Sequence, residues 1–393
     1  MNTTQLQTLK SLPLIEKLIS FDTTSYKSNL QLITYIKDYL SEYDISSKLV
    51  FNEKQTKANL YATIGPQDKP GVMLSGHTDV VPVTGQAWDT DPFCVTQKDG
   101  MLFGRGTCDM KGFIAIVLSY LPEMIAAKLE TPVHLAFSYD EEIGCVGARR
   151  LVEMMSGMPI KPAMCIVGEP TSLQVVNAHK GKLAQRITVN GLEAHSSLPH
   201  LGVNAIDFAA DLIIFIRELG CELAEKGPFE EGFDVTYTTL HTGKVEGGVA
   251  LNIVPKHCQF DFEIRNIPGQ EPQPLLDKVM AYAKDVLEPK MKAVDANCSI
   301  EMSPLSGYPG MFTEEEKDVV KFVQTLTEVN GLKKITFGTE GGLFTNTLHI
   351  PTVVCGPGSI EQAHKPNEFI EVSQIFAMES FMDKLITALS PSS

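Results

Sequence analysis

The first residues to ask about are His77 and Asp79, which close the apolar run Val72-Met73-Leu74-Ser75-Gly76. A short apolar run bounded by turn residues reads as a buried strand. An imidazole and a carboxylate two residues apart then emerge together at its C-terminal end. A metal-binding histidine donates its second ring N–H to an acceptor, which fixes its tautomer and raises its basicity. A lone His-x-Asp reads more simply as a loop hydrogen bond, since single motifs match by chance. The weight therefore falls on the company the pair keeps. Glu141 and Glu142 follow the run Val133–Ser138, Glu169 follows Ala163–Val167, and His364 follows Pro351–Cys355. Asp109 opens a helix after the glycine-rich turn Leu102–Gly112. In open α/β sheets the loops beyond the carboxyl ends of the strands form the ligand crevice. His77, Asp109, Glu142, Glu169 and His364 are too many donors for one tetrahedral zinc, and suit two divalent ions that share a carboxylate. Three carboxylates and a hydroxide would balance the charge of two such ions, and uncompensated buried charge is costly.

Glu141 stands beside Glu142, and neighbouring loop residues point different ways. One can bind a metal while the other faces water. A divalent ion lowers the pKa of the water it holds, and a nearby carboxylate can carry the proton to a departing amine. This is amide hydrolysis without a protein nucleophile. A Gly-x-Ser-x-Gly elbow is missing from the sequence. The Gly104-x-Gly106 pair lacks the third glycine of a dinucleotide-binding turn, and no typical strand feeds it.

The elements that must position these donors alternate along the chain. Helical spacing marks Gln5–Phe21, interrupted near Pro13, and Ser28–Tyr43; strands follow at Ser46–Phe51 and Asn59–Ile64. The helix Phe113–Ala127 should be kinked or interrupted by Pro122. This alternation predicts an α/β class with a mixed, largely parallel sheet covered by helices on both faces. The middle of the chain differs. Strands at Gly181–Asn190, Asp234–Gly243 and Pro255–Arg265, with helices at Asn204–Leu219 and Pro274–Leu287, predict a smaller inserted α+β domain. The expected division is 1–177 and 293–393 for the metal-binding domain and 178–292 for the insertion.

Composition narrows the partners. A net charge of −15 argues against nucleic acid or an anionic membrane surface, both of which need cationic patches. No apolar run approaches the ~20 residues of a membrane span. The eight cysteines are scattered without a Cys-x-x-Cys pair, which fits a reducing, cytoplasmic compartment.

The motifs Gly76–Pro82, Gly104–Gly112, Asp140-Glu141-Glu142, Gly168–Thr171, Ala194–Ser197 and Gln362-Ala363-His364 together resemble the M20 dinuclear metallohydrolases. The resemblance covers nearly the whole chain. Within that family, Ala178–Gly181, Thr339-Glu340 and Gly356–His364 look like the members that deacetylate acetylornithine. The resemblance implies that Asp109 bridges two zinc or cobalt ions, with His77 and Glu169 at one and Glu142 and His364 at the other. It implies that Asp79 orients His77 and that Glu141 is the general base and acid. His195, in the insertion, would stabilise the oxyanion, and the Asp109–Met110 peptide would be cis. Arg265 is the candidate for the substrate's α-carboxylate, Asn252 for the tetrahedral intermediate, and Glu340 for a distal ammonium. Gly341-Gly342 follows Glu340 where relatives usually carry Ala-Pro. The expected reaction is removal of the acetyl group from N2-acetyl-L-ornithine. Desuccinylation of succinyl-diaminopimelate, deacetylation of acetylcitrulline, general N-acyl amino-acid deacylation and dipeptide hydrolysis remain open within the same chemistry. A non-catalytic binding protein on the same fold is the reading from another class. The expected partners are a small N-acyl amino acid and a second copy of the chain, paired through the inserted domain.

Overall fold

The chain is described from residue 9 to residue 391 in a computed structural model. It divides into two compact units. The first holds the residues up to Ala178, Met311–Lys334 and those from Thr339 onward; the second holds His179–Gly310 and Ile335–Gly338.

The first unit is built on a sheet whose main path runs 47–51, 58–64, 133–138, 72–77, 164–167, 352–354, 175–179 and 311–312. Val133–Ser138, Val72–His77, Met164–Val167 and Thr352–Val354 are parallel neighbours at its centre. Ser47–Phe51 and Ala58–Ile64 run antiparallel at one side. Val72–His77 and Val133–Ser138 are buried at every position, which is why they read as unbroken apolar runs. Parallel strands end on the same edge. His77 lies opposite Ser138 and Val354 opposite Val167, so the loops leaving all four strands share one rim.

Helices cover this sheet. Lys111–Ser119 is buried along its whole length and packs with Leu12–Ile19 and Val372–Leu389. The run expected as Phe113–Ala127 divides at Tyr120, and Pro122 takes the first turn of Leu121–Ala126, where its missing N–H leaves no bond unmade. The first helix begins only at Leu12, with Pro13 in its opening turn. Positions 5–8 of the expected helix lie outside the described residues. Gly168 follows the Met164–Val167 strand because a Cβ there would stand 2.3 Å from the Phe113 ring.

The second unit is an antiparallel four-stranded sheet in the order 239–247, 257–265, 182–190, 299–308. Cys258, Phe260, Phe262 and Ile264 point inward along His257–Arg265 and pack with Leu212 and Ile216 of the helix Ala205–Lys226. Asn204 caps that helix by accepting the N–H of Ile206 at 3.0 Å. The expected strand Asp234–Gly243 lies at Thr239–Gly247, and the expected helix Pro274–Leu287 is α-helical over Gln273–Ala281 and π-helical over Tyr282–Leu287.

The domain boundary expected at 292 is corrected. Ser299–Tyr308 pairs along Lys182–Asn190 and completes the second sheet, so this unit runs to Gly310. As an edge strand it tolerates Pro304, with a register shift between Pro304 and Ser306. That proline and the weak alternation around it hide the strand in the sequence.

Candidate metal centre and active site

The rim of the parallel strands brings the five expected donors together. His77 Nε2 is 2.9 Å from Asp109 Oδ1 and 3.6 Å from Glu169 Oε1. His364 Nε2 is 3.3 Å from Asp109 Oδ2 and 3.0 Å from Glu142 Oε2. The two oxygens of Asp109 therefore face two different imidazoles, the disposition a bridging carboxylate needs. Donor atoms of His77, Glu141 and Glu169 lie within 4.8 Å of one another, and so do those of His77, Asp109 and Glu142. The neighbours Glu141 and Glu142 thus fall into different donor groups, each with His77. The Asp109–Met110 peptide is cis.

Asp79 does more than face His77. The imidazole Nδ1 lies 2.9 Å from the Asp79 backbone carbonyl and 3.6 Å from its carboxylate. With its hydrogen on Nδ1, His77 donates to that carbonyl and keeps Nε2 for a cation. The Asp79 carboxylate accepts the backbone N–H groups of Glu141 at 3.0 Å and Glu142 at 3.3 Å, and the Ser25 hydroxyl at 2.8 Å. It holds the double-glutamate loop in place.

The electrostatics are those of too many acids kept from water. Burial, then repulsion from Glu142 and Asp79 against the pull of His77, pushes Glu141 up to about 8. Burial and Asp109 push Glu142 up to about 7, and burial with Asp109 raises Glu169 well above the carboxylate range. Burial opposes charge on His77, but Glu169 and Asp109 outweigh it and raise its pKa. The bonds to Asp109 and Glu142 lift His364 to about 10. Despite burial, the two histidines hold Asp109 below the usual carboxylate range. Glu142 Oε1 is buried without a hydrogen-bond partner. An orphaned carboxylate oxygen inside a ring of N and O donors fits divalent cations, which such donors bind and whose charge offsets theirs. His77, Asp109, Glu142, Glu169 and His364 are the side chains that would hold them.

Glu340 is 1% exposed, and its two oxygens accept the hydroxyls of Ser75 at 2.6 Å and Ser138 at 2.5 Å, on adjacent parallel strands. It ties those two strands together, with a serine hydroxyl on each of its oxygens. It stands at the N-cap of the helix Gly341–Leu348.

His195, Asn252 and Arg265 belong to the second unit. There His195 bridges Ile253 and the Ser196 N–H donates to the Asn252 carbonyl at 3.1 Å, so the His195 and Asn252 loops lie side by side. His195 Nδ1 lies 2.7 Å from the Ser197 hydroxyl and 3.2 Å from the Ser197 backbone nitrogen. Arg265 donates to Glu263 at 2.9 Å and to the Tyr308 hydroxyl at 2.7 Å.

Groups that no motif announced also serve the rim. Lys57 pairs with Asp140, just before the double glutamate, and the buried Glu368 binds the backbone of the Asp109 turn. Only the proximity of Glu368 to His364 in sequence hinted at it.

A mostly parallel α/β sheet thus carries at its carboxyl rim an acid-and-histidine cluster whose donors suit divalent cations. The model of peptidase family M20/M25/M40 matches residues 73–388, and the chain belongs to that family. Its fold is similar to the aminopeptidase PepT of Bacillus cereus, at 20% identity and a TM-score of 0.75 over 97% of this chain and 98% of that one. It is likewise similar to the metallo-carboxypeptidase Sso-CP2 of Sulfolobus solfataricus, at 19% identity and 0.75 over 96% and 98%. The YXEP protein of Bacillus subtilis, a dinuclear metal-binding M20 peptidase, is similar at 15% identity and 0.64 over 97% and 98%. Among the described residues, no helix is long and apolar enough to cross a membrane.

Proposed function

We propose that this protein is a two-metal amidohydrolase that removes the acyl group from a small N-acyl amino acid, with N2-acetyl-L-ornithine as its substrate. The observation that carries the chemistry is the Asp109 carboxylate set between His77 and His364, with the buried Glu141 beside them. The ornithine assignment draws on the sequence resemblance. Zinc or cobalt ions at this site would polarise the scissile carbonyl and bring the pKa of water towards neutrality.

Glu141 carries the proton. Its Oε1 accepts the Cys145 thiol at 3.2 Å, which leaves Oε2 to take a proton from water and hand it to the amine as the C–N bond breaks. A carboxyl group can serve both halves of that transfer, as base and then as acid. The sequence resemblance assigns the developing oxyanion to His195 and Asn252 and the substrate's α-carboxylate to Arg265, whose guanidinium is a planar, two-pronged donor. We also propose a cytoplasmic protein whose second unit pairs two copies through the helix Ala205–Lys226 or the edge strand Thr239–Gly247.

The test is steady-state kinetics on acetylornithine, acetylcitrulline, succinyl-diaminopimelate and a dipeptide, with bound metal counted in parallel. Acetylornithine is expected to give the highest kcat/KM. Glu141→Ala is expected to lower kcat on the order of 10²- to 10⁴-fold with its ions retained. A preference for the dipeptide moves the chain to the peptidase branch, and an active Glu141→Ala removes the proton carrier.

A further inference from the structure

Glu368 lies four residues after His364 and is 1% exposed. Its Oε1 accepts three backbone N–H groups of one turn: Gly106 at 3.0 Å, Cys108 at 2.9 Å and Asp109 at 3.0 Å. Its Oε2 accepts from Arg105 at 2.5 Å. The backbone reciprocates, the Gly104 N–H donating to the Glu368 carbonyl at 2.9 Å. Successive amides turned onto one anion form a nest. Gly106, at φ +88°, supplies the left-handed residue this nest requires.

The bonds continue outward from Arg105. Its second nitrogen donates to Gln86 Oε1 at 2.7 Å, and the Gln86 amide donates to the backbone carbonyl of His364 at 3.0 Å. Gln86 Oε1 also accepts the indole N–H of Trp88 at 3.1 Å, and the Trp88 ring lies 5.1 Å from the Arg105 guanidinium. The ring of contacts therefore starts at the amide of one candidate ligand, Asp109, and returns to the carbonyl of another, His364. No member of it is itself a donor to the site.

We propose that Glu368, with Arg105 and Gln86, forms a clamp of positioning residues. It fixes the Asp109 turn against the His364 loop and thereby sets the affinity for the ions those two side chains share. This rests on the metal-centre reading above. A buried carboxylate that only held the fold together would need no link to both ligand loops. Groups that orient metal ligands from behind are worth about 10- to 100-fold in metal affinity.

The experiment titrates chelator-stripped protein with Co2+ at a temperature where every variant is folded. Affinity is read by calorimetry, and ligand geometry by the visible absorption of bound Co2+. Trp88, the sole tryptophan, provides a fluorescence reading beside the clamp. Glu368→Gln is expected to weaken binding by about 10- to 100-fold and to alter the Co2+ spectrum, with Glu368→Asp recovering part of the loss. Gln86→Leu, outside the buried ion pair, is expected to give a smaller loss of the same kind. Parent-like affinity and spectrum in a folded Glu368→Gln overturn the clamp, whatever happens to its melting temperature. Should Glu368→Gln not fold, parent-like binding by Gln86→Leu overturns it. A parent protein that binds no Co2+ overturns the metal-centre reading as well, whereas a parent that binds two ions beside unaffected variants overturns the clamp alone.

Discussion

Glu340 and Glu141 are both buried carboxyls close to the same rim, and their neighbours give them different work. Glu141 sits among the donor atoms with one oxygen open to chemistry. Glu340 has both oxygens on serine hydroxyls, and burial, against the pull of those two bonds, raises its pKa. A group bound this way is read by its neighbours in either protonation state, so its amide analogue should serve nearly as well. Glu340→Gln is expected to keep the parent's ranking of acyl amino acids and to cost within about 1 kcal/mol of stability. Glu340→Ala empties the site between two strands, orphans the Ser138 hydroxyl and is expected to cost about 2–4 kcal/mol. Denaturant melts and kcat/KM across the panel check both. A selective loss on ornithine derivatives in Glu340→Gln would support the ammonium-reading role.

Among the elements, the Val133–Ser138 strand carries a titratable group away from the metal rim. His134 stacks on Tyr61, its Nδ1 lies 3.0 Å from the Thr63 hydroxyl, and its Nε2 is buried without a partner. Burial depresses its pKa to about 4, from the ordinary 6.5 of an unfolded chain. The unfolded state thus takes up this proton first as the pH falls. The contribution of neutral His134 is complete above about pH 6.5 and is lost progressively towards pH 4, on the order of 3 kcal/mol in all. His134→Phe keeps a ring against Tyr61 and removes the proton site. Its melting temperature is expected to fall less between pH 6.5 and 4 than the parent's, in thermal scans at matched ionic strength. An unchanged slope would mean that the imidazole is hydrated in the folded state.

For the whole molecule, every candidate metal donor falls in the first unit, as does Trp88. Ions that bind the folded state stabilise it by mass action, about 2.7 kcal/mol at a hundred times the dissociation constant. Zinc is expected to raise the melting temperature reported by Trp88 fluorescence, and EDTA to lower it and abolish activity until zinc or cobalt is restored. A Trp88 transition indifferent to both would leave the acid cluster without its cations.

Local pattern carried much of this protein. The unbroken apolar runs Val72–Gly76 and Val133–Ser138 had to be buried strands, and the donors at their ends had to share a rim once those strands were parallel. That inference needs only the hydrophobic period and the rule for α/β crevices. The meeting of the candidate donors and Asp79 at one rim was accordingly within reach of the sequence. Other features depend on contacts between distant residues, which leave no periodic mark. Pro304 concealed an edge strand whose partner lies over a hundred residues earlier, and the domain boundary moved with it. The bonds of Glu340 to Ser75 and Ser138, on two separate strands, likewise appear only in the folded chain. Glu368 looks like any loop acid until the fold closes three amides and an arginine around it. A carboxylate's role is set by what surrounds its two oxygens, and those surroundings come from parts of the chain that meet only on folding.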